Sequence, residues 1–403
     1  MSESSARPHP IESSLMSPLR VLVFLLVAIS VLGGLHYYVW ARLVRDTRIP
    51  EPWALVATLA LAALCALVIL GFVLRRTTSL LATPVAWGAY TWLGLLFLLF
   101  VLLAVTDAAG GSIRLVRHVL EVPPLDPARR DFFVRVLGGA VGIGALGMAG
   151  LGVINVLRPV TVKRVQVPIG RLAKNAAGLR IVQLSDVHVG PTIGKEFLEA
   201  VVARVNALEP DVIAITGDLV DGSVADLREL VAPLGDLRAK HGVYFVTGNH
   251  EYYSGVDDWL AHLPTLGIRV LHNEHVSIGG DGGIDLAGVD DWSAHGFGGG
   301  HGPDLPRALE GRDSSRPLVL LAHQPKQIEE AAQLGVDLQL SGHTHGGQIF
   351  PWGFLVRLTQ PYLAGLHKHR EAHVYVSEGT GYWGPPMRIG TTAEITHLEL
   401  VAA

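Results

Sequence analysis

Four long stretches without a single charged residue occupy the first 160 positions, and they limit the possible folds more than any other feature of the chain. They cover residues 21–40, 53–74, 77–106 and 136–157. A helix crossing about 30 Å of hydrocarbon needs roughly 20 apolar residues. The first three stretches meet that length and carry Trp and Tyr where interfacial belts sit: "HYYVW" closes the first, and Trp87, Tyr90 and Trp92 lie near the start of the third. The fourth is rich in glycine, which weakens a helix in water. In a bilayer the same small residues let helices approach closely, and "GGAVG" has the G-x-x-x-G spacing. We read it as a fourth span, with a flexible linker as the alternative. The chain then divides into a tail at 1–18, a membrane region at 19–157 and a second domain at 158–403.

Arginine placement gives an orientation. With four spans, the 1–2 and 3–4 connections share a side and hold Arg42, Arg45, Arg48, Arg114, Arg117, Arg129, Arg130 and Arg135. The other side holds Arg7, Arg20, Arg75 and Arg76. The positive-inside rule puts the richer set in the cytoplasm, so the second domain is expected outside the cytoplasmic membrane of a multi-pass protein. "RRDFFVRVLGGAVGIGALGMAG" (129–150) also resembles a twin-arginine export signal, although such signals are normally N-terminal. An internal one would act as an anchor; the alternative is a chance Arg pair on a loop.

From about residue 160 the pattern changes. Residues 1–160 carry a net charge of +5 and the whole chain −4, so the remainder is at −9. An acidic second half excludes nucleic acid as a main partner, because phosphate backbones are bound by dense Lys/Arg surfaces. The single cysteine, Cys65, lies in an apolar run, which excludes an internal disulfide and a cysteine-cluster metal site. Short β-rich runs at 179–186, 211–218, 242–249, 317–324 and 337–344 alternate with helical patterns at 195–208, 225–237, 257–266 and 326–334. Three later runs, "GIDLAGVDD", "AHVYVSEGT" and "EITHLELV", are expected to form a second sheet.

Each strand of the first group ends in polar donors. Asp186 and His188 stand in "SDVH", Asp218 and Asp221 in "GDLVD", Asn249 and His250 in "GNHE", His323 in "AHQ", and His343 and His345 in "GHTH". Open α/β sheets place their sites beyond the carboxyl ends of the strands, which joins these segments into one candidate site. Residues i and i+2 of an extended chain point the same way, so His343 and His345 are expected to face one point, as are Asp186 and His188. Asp186, His188, Asp218, Asn249, His323, His343 and His345 are too many for one tetrahedral ion. They suit two divalent ions with Asp218 as the bridging carboxylate, and a mixed His/carboxylate set suits Mn, Fe, Zn or Co. Two ions about 3.5–4 Å apart activate water and clamp the oxygens of an in-line phosphoryl displacement.

The five motifs, in this order, resemble the calcineurin-like metallophosphoesterase superfamily over roughly residues 160–403. "GHTHGGQIFPWG" and "EGTGYWGPPMRIG" resemble its bacterial membrane-associated branch related to twin-arginine-signal phosphodiesterases. The resemblance implies a four-layer αββα sandwich of two facing sheets, here preceded by an all-α transmembrane region. It implies one metal on Asp186, His188 and His345, the other on Asn249, His323 and His343, with Asp218 between them. It implies that His250 is a proton or hydrogen-bond donor to the phosphate or leaving oxygen, oriented by Asp221. Superfamily protein phosphatases read Arg-Gly after the second Asp of the "GD" motif, whereas Gly222 and Ser223 follow Asp221 here. Loss of that bidentate phosphate binder favours diesters or pyrophosphates over phosphoproteins.

The expected function is therefore that of a membrane-anchored phosphoesterase. It would use a hydroxide shared by two ions, on a phospholipid, lipid-linked or other envelope phosphodiester or pyrophosphate. The alternatives are a non-catalytic membrane sensor or scaffold with a phosphoesterase-like domain, and a cytoplasm-facing pyrophosphatase acting on a nucleotide-linked lipid. Several residues receive ordinary readings. Glu251 supports its loop. His295, His301, His367, His369 and His373 are surface residues. "HGFGGGHG" (295–302) is a flexible loop. Trp383, Pro385 and Pro386 either wall the site or pack.

Overall fold

The computed structural model describes residues 18–74, 81–123, 126–173, 176–280 and 282–403. Among these, four helices are long and apolar enough to cross a membrane. They are α1 (Pro18–Trp40, continued by a π-helical turn at Ala41–Arg45), α2 (Trp53–Leu74), α3 (Ala82–Val119) and α4 (Pro127–Leu157). Arg7, Arg75 and Arg76 lie outside the described residues. α3 continues past the end of the apolar stretch, because nothing in 107–119 breaks a helix even though the residues turn polar. α4 begins well before its apolar stretch. Asp126 caps it by accepting from the N–H groups of Ala128 and Arg129 at 2.8 and 3.0 Å, and Pro127 takes the first position, where its missing N–H costs nothing. Val141, Ala145 and Ala149 of α4 pack against Leu96, Leu99 and Leu103 of α3. The contact stripe of α4 is thus small and apolar, as close approach requires. Of the G-x-x-x-G pair, Gly138 packs against the turn after α1, where its Cβ would lie 3.2 Å from Thr47 Cγ2, whereas Gly142 has nothing within 4 Å of a Cβ position.

The second domain contains β1 (Thr161–Ile169), β2 (Arg180–Leu184), α5 (Lys195–Asn206), β3 (Val212–Thr216), α6 (Val224–Val231), β4 (Val243–Val246), α7 (Asn249–Tyr253), α8 (Val256–His262) and β5 (Ile268–Val270). Then follow β6 (Glu274–Ile278), β7 (Ile284–Gly288), α9 (Leu305–Ala308), β8 (Leu318–Leu321), α10 (Ile328–Ala331), β9 (Leu338–Ser341), α11 (Gly353–Val356), β10 (Gly365–His369), β11 (Ala372–Val376) and β12 (Glu394–Ala402). They form two six-stranded mixed sheets, ordered β1-β12-β2-β3-β4-β5 and β10-β11-β9-β8-β7-β6. Ile181, Ala214 and Tyr244 of the first sheet meet Leu286, Val319, Leu338 and Tyr375 of the second in a shared core. The outer face of the first sheet packs on α5, α6 and α8 through Leu198, Leu227 and Trp259, and that of the second on α9 and α10 through Leu305 and Ile328. The result is the four-layer sandwich.

The partition of strands differs from the sequence expectation. β8 and β9 join the second sheet, and β12, expected there, pairs with β1 and β2 in the first. Hydropathy cannot assign a fully buried strand to either of two facing sheets, since both bury such strands on both faces. The site is unaffected. β2, β3 and β4 are parallel in one sheet, β8 and β9 in the other, and their carboxyl ends meet at one edge of the sandwich.

Candidate metal centre

Five of the donors at that edge are held by an unusual backbone. Asp186, His188, Asp218, His343 and His345 have φ values of 53°, 55°, 52°, 71° and 50°. The i, i+2 alternation expected for extended chain is therefore not what aims these pairs. Thr344, between the two histidines, is right-handed at φ −84°, so the loop alternates left, right, left. Non-glycine residues persist in the left-handed region only where their surroundings over-determine them, and they cluster at functional sites. The surroundings here are tight. A Cβ on Gly248 would lie 2.2 Å from Asp218 Oδ1, and one on Gly342 2.1 Å from Asp186 Oδ2. Glycine at both positions lets backbone pass directly over the carboxylates.

The structure brings the predicted donors together in two groups. Asp186, His188 and His345 form one, with His345 Nε2 3.4 Å from Asp186 Oδ1 and 3.1 Å from His188 Nε2. Asp218, His323 and His343 form the other, with His323 Nε2 3.2 Å from both Asp218 Oδ2 and His343 Nδ1. Asp218 Oδ2 lies 3.8 Å from His188 Nε2, which puts this carboxylate between the groups. Asn249 is buried, and its Oδ1 has no hydrogen-bond partner. His250 and Asp221 lie alongside. Asp221 Oδ1 is 2.6 Å from His250 Nδ1 and 3.1 Å from His188 Nδ1.

Tautomers decide what this arrangement can hold. His323 Nδ1 is 2.7 Å from the Thr216 carbonyl, which can only accept, so Nδ1 carries a proton and Nε2 is the nitrogen left to bind a metal. His188 is fixed in the same way by Asp221. Both Nε2 atoms point at Asp218 and a neighbouring imidazole. Donor atoms packed this closely need a proton or a metal ion between them, and a metal ion displaces the proton where both are buried. Asp186 and Asp218 are at most 2% exposed and, among the described residues, have no Lys or Arg within salt-bridge distance. The donor set, oxygen and imidazole without thiolate, fits a pair of borderline-hard divalent ions.

The electrostatics follow from burial and from these neighbours. Burial pushes the Asp186 carboxyl up. Burial also opposes ionisation of Asp218, but His323, His250 and His188 outweigh it and hold that carboxyl well below its ordinary range. For His250, burial works against the charged form, while Asp218 and the Asp221 hydrogen bond more than offset it and raise the imidazole to about 9. Glu251, buried and near Asp218, is pushed up to about 7. It accepts from the N–H groups of Gly248, Asp218 and Leu219 at 2.6, 3.0 and 2.8 Å, clamping two ligand loops together.

Several residues differ from their sequence reading or were missed. The His301 side chain is 9% exposed and forms a separate group with His272 and Asp290 rather than standing on the surface. His367 and His369 are half-buried against Tyr362. The 295–302 loop borders the site through a chain of ring contacts, Phe297 to Tyr253 to His250. Trp383, 54% exposed with its ring 5.5 Å from that of His250, walls the site, whereas Pro385 packs against α3. Arg388 was not singled out. It is fully buried, and its guanidinium donates to the carbonyls of Glu378, Gly379, Gly381 and His345. An arginine in the apolar, proline-rich "PPMRIG" was the available signal. Its donors are committed to backbone, so it ties loops together and does not replace the missing phosphate binder. Lys326 stands beside the His343 group, its ammonium 5.0 Å from the Trp292 ring.

Residues 179–347 match the calcineurin-like phosphoesterase family. The chain is 44% identical over 329 residues to a transmembrane protein with metallophosphoesterase domain from Bos taurus, a match covering 78% of this chain and 73% of that one. It is 42% identical over 280 residues to a metallophosphoesterase of Helicobacter pylori, covering 68% and 73%. Among solved structures, a dimetal phosphatase from Danio rerio aligns at 12% identity and a TM-score of 0.36, over 50% of this chain and 88% of that one. With the bovine and Helicobacter relatives matched over nearly three quarters of their length, the chain belongs to the calcineurin-like metallophosphoesterase family and is a membrane-associated, metal-dependent phosphoric ester hydrolase.

Proposed function

We propose that the chain is a phosphodiesterase or pyrophosphatase of the outer face of the cytoplasmic membrane, acting on lipid-linked or other envelope phosphoesters. The observation that carries this reading is the convergence of buried carboxylate and imidazole donors on Asp218. When bound, two divalent cations, with manganese our choice among Mn, Fe, Zn and Co, supply Lewis-acid activation of water and neutralise phosphate charge. Asp186, His188 and His345 would hold one and Asn249, His323 and His343 the other, with Asp218 shared. His250, kept protonated by Asp218 and Asp221, donates to the leaving oxygen. Asp221 also fixes the tautomer of His188, so one carboxylate sets both the ligand and the acid.

The orientation rests on the arrangement of the helix ends. Arg48 pairs with Asp131 at 2.8 Å, and Arg135 donates to the Thr47 carbonyl at 2.9 Å, so the start of α4 lies beside the end of α1. The opposite end of α4 enters the catalytic domain. The arginine-rich connections thus gather at the end of the bundle away from the catalytic domain, which supports placing that domain outside the cytoplasm. Arg129 and Arg130 fall in the first turn of α4, which supports an uncleaved anchor over a processed signal.

The test is hydrolysis of bis-p-nitrophenyl phosphate by the purified full chain with Mn²⁺. Asp218→Asn and His343→Ala are expected to abolish it while circular dichroism is unchanged, and full activity in either variant overturns the assignment. A C-terminal alkaline phosphatase fusion is expected to be active; a fluorescent C-terminal GFP fusion instead overturns the orientation.

A further inference from the structure

Two loops of the catalytic domain sit deeper along the membrane helices than a domain resting on a bilayer would. α2 has 22 residues and so measures about 33 Å, matching a hydrocarbon core. Its level on α3 is fixed near its catalytic-domain end, where a Cβ on Gly71 would lie 2.6 Å from Ala89 Cβ. Further along α3, away from that end, a Cβ on Gly94 would lie 2.5 Å from Met387 Cε, and the Phe97 ring is 5.9 Å from the ring of Trp352. At 1.5 Å per residue these contacts are about 8 and 12 Å deeper than the Gly71–Ala89 level. α4 gives a second, independent measure. A Cβ on Gly152 would lie 2.9 Å from Met387 Cβ, and Gly152 is five residues, about 8 Å, inside the end of α4. Leu151, Ile154 and Leu157 around it are exposed, as lipid-facing side chains are.

The surface carried to that depth is apolar. In "IFPWGFLVRL" (349–358) the only charge is Arg357, and Phe350, Trp352, Phe354, Leu355 and Leu358 are 49–79% exposed. Such a patch is costly in water and favourable in a leaflet, where a long Arg side chain can reach back to the headgroups. The same loop is continuous with the site. It leaves His345 through Gln348, whose amide donates to the carbonyls of Trp383 and Pro385 at 2.9 and 3.1 Å. Trp383 in turn stands against His250.

We propose that residues 349–358 form a blade inserted in the leaflet, and that the substrate is a phosphoester lipid of that leaflet. Its acyl part remains in the bilayer beside the blade, while its headgroup phosphate passes over Trp383 to His250 and Asp218. The occupant of this surface is the bilayer itself, because the patch is continuous with the membrane bundle. The substrate half of the proposal rests on the hydrolase reading above; the blade does not.

The two halves are tested separately. For the blade, the full chain carrying Cys65→Ser and Phe354→Cys is labelled with a nitroxide and reconstituted in phosphatidylethanolamine/phosphatidylglycerol vesicles. The label is expected to collide with oxygen and be shielded from a water-soluble nickel chelate. A reference label at Glu371→Cys, which is exposed on the catalytic domain, reports the reverse. Equal nickel access at both positions overturns the blade. For the substrate, the reconstituted wild type is offered phosphatidylglycerol, CDP-diacylglycerol and a polyprenyl diphosphate in vesicles, beside soluble bis-p-nitrophenyl phosphate. The Phe354→Ser/Leu355→Ser variant is expected to keep turnover of the soluble diester and lose about tenfold or more on the cleaved lipid, as when remote binding energy is removed. Cleavage of the soluble diester with every lipid left intact, or an equal loss on both substrates, overturns the substrate half. Failure of the wild type on all of them refutes the hydrolase reading instead, and the blade measurement still stands.

Discussion

Asp285 and Asp218 are both buried carboxylates in the same sandwich, at opposite ends of its strands, and they are neutralised in opposite ways. Asp285, near the start of β7, is fully buried with Arg316 Nε 2.7 Å away and Arg312 at 3.5 Å. Arg316 also donates to the carbonyls of Gly280, Ile278 and Ile284, so charge and hydrogen bonds close within the chain. Asp218, past the end of β3, meets the imidazoles of His188, His250 and His323 and accepts from the His250 backbone N–H, with no Lys or Arg beside it among the described residues. A buried charge must be compensated. Where arginines close the charge, the site is structural; where a carboxylate faces a ring of imidazoles, which can ligate as well as titrate, the site is built to take up a cation from outside. The difference is visible in residue types and distances alone.

The comparison can be broken at several points. The largest effect is expected from Asp218→Asn, with hydrolysis of a soluble diester reduced at least about a thousandfold, since under the proposed arrangement Asp218 would serve both ions. In the same experiment a chelator should lower the thermal midpoint of the wild type, because ligands that bind only the folded state stabilise it, and leave that of the variant nearly unchanged. A chelator-sensitive variant would show that Asp218 is not shared. Arg316→Ala should do the reverse. Removing one partner of a buried pair costs about 3–5 kcal/mol, so the thermal midpoint falls while metal content per folded chain stays that of the wild type.

Asp221→Asn should act on pH. The folded value of His250 is raised, so protonated His250 is present below about 9 and lost as pH rises through it. Without the Asp221 charge, the alkaline limb of kcat/KM moves to lower pH; an unmoved limb assigns it to another group. The smallest effect is expected from Lys326→Ala, a few-fold rise in KM with little change in kcat, as for a charge that binds phosphate equally in ground and transition states. A loss confined to kcat would give Lys326 a different role.

Much of this was readable beforehand, for identifiable reasons. The convergence of the donors was legible because they follow β2, β3, β4, β8 and β9, and parallel strands deliver their ends to one edge whichever sheet they join. The assignment of β8, β9 and β12 was not, because Leu318–Leu321, Leu338–Ser341 and the first five residues of β12 (394–398) are buried on both faces. The left-handed backbone at His343 and His345 was hidden, since no local sequence rule places non-glycine residues there; only packed surroundings enforce it. α3 ran longer than its hydropathy because helix propensity does not end where apolarity does. His301 was misread because its burial depends on Asp257 and Asp290, which are distant in sequence.

The seam between the two halves has a practical consequence. Arg388 hands its carbonyl to Asn155 and its backbone N–H to Gly152, while its guanidinium grips the loop bearing His345. Anchor and active-site wall are therefore one mechanical part. A fragment cut after Leu157 would leave Met387, Ile389 and Ile349 with an oily underside where helices had been, and would clump in buffer free of detergent. Enzymology of this chain belongs on the uncut molecule.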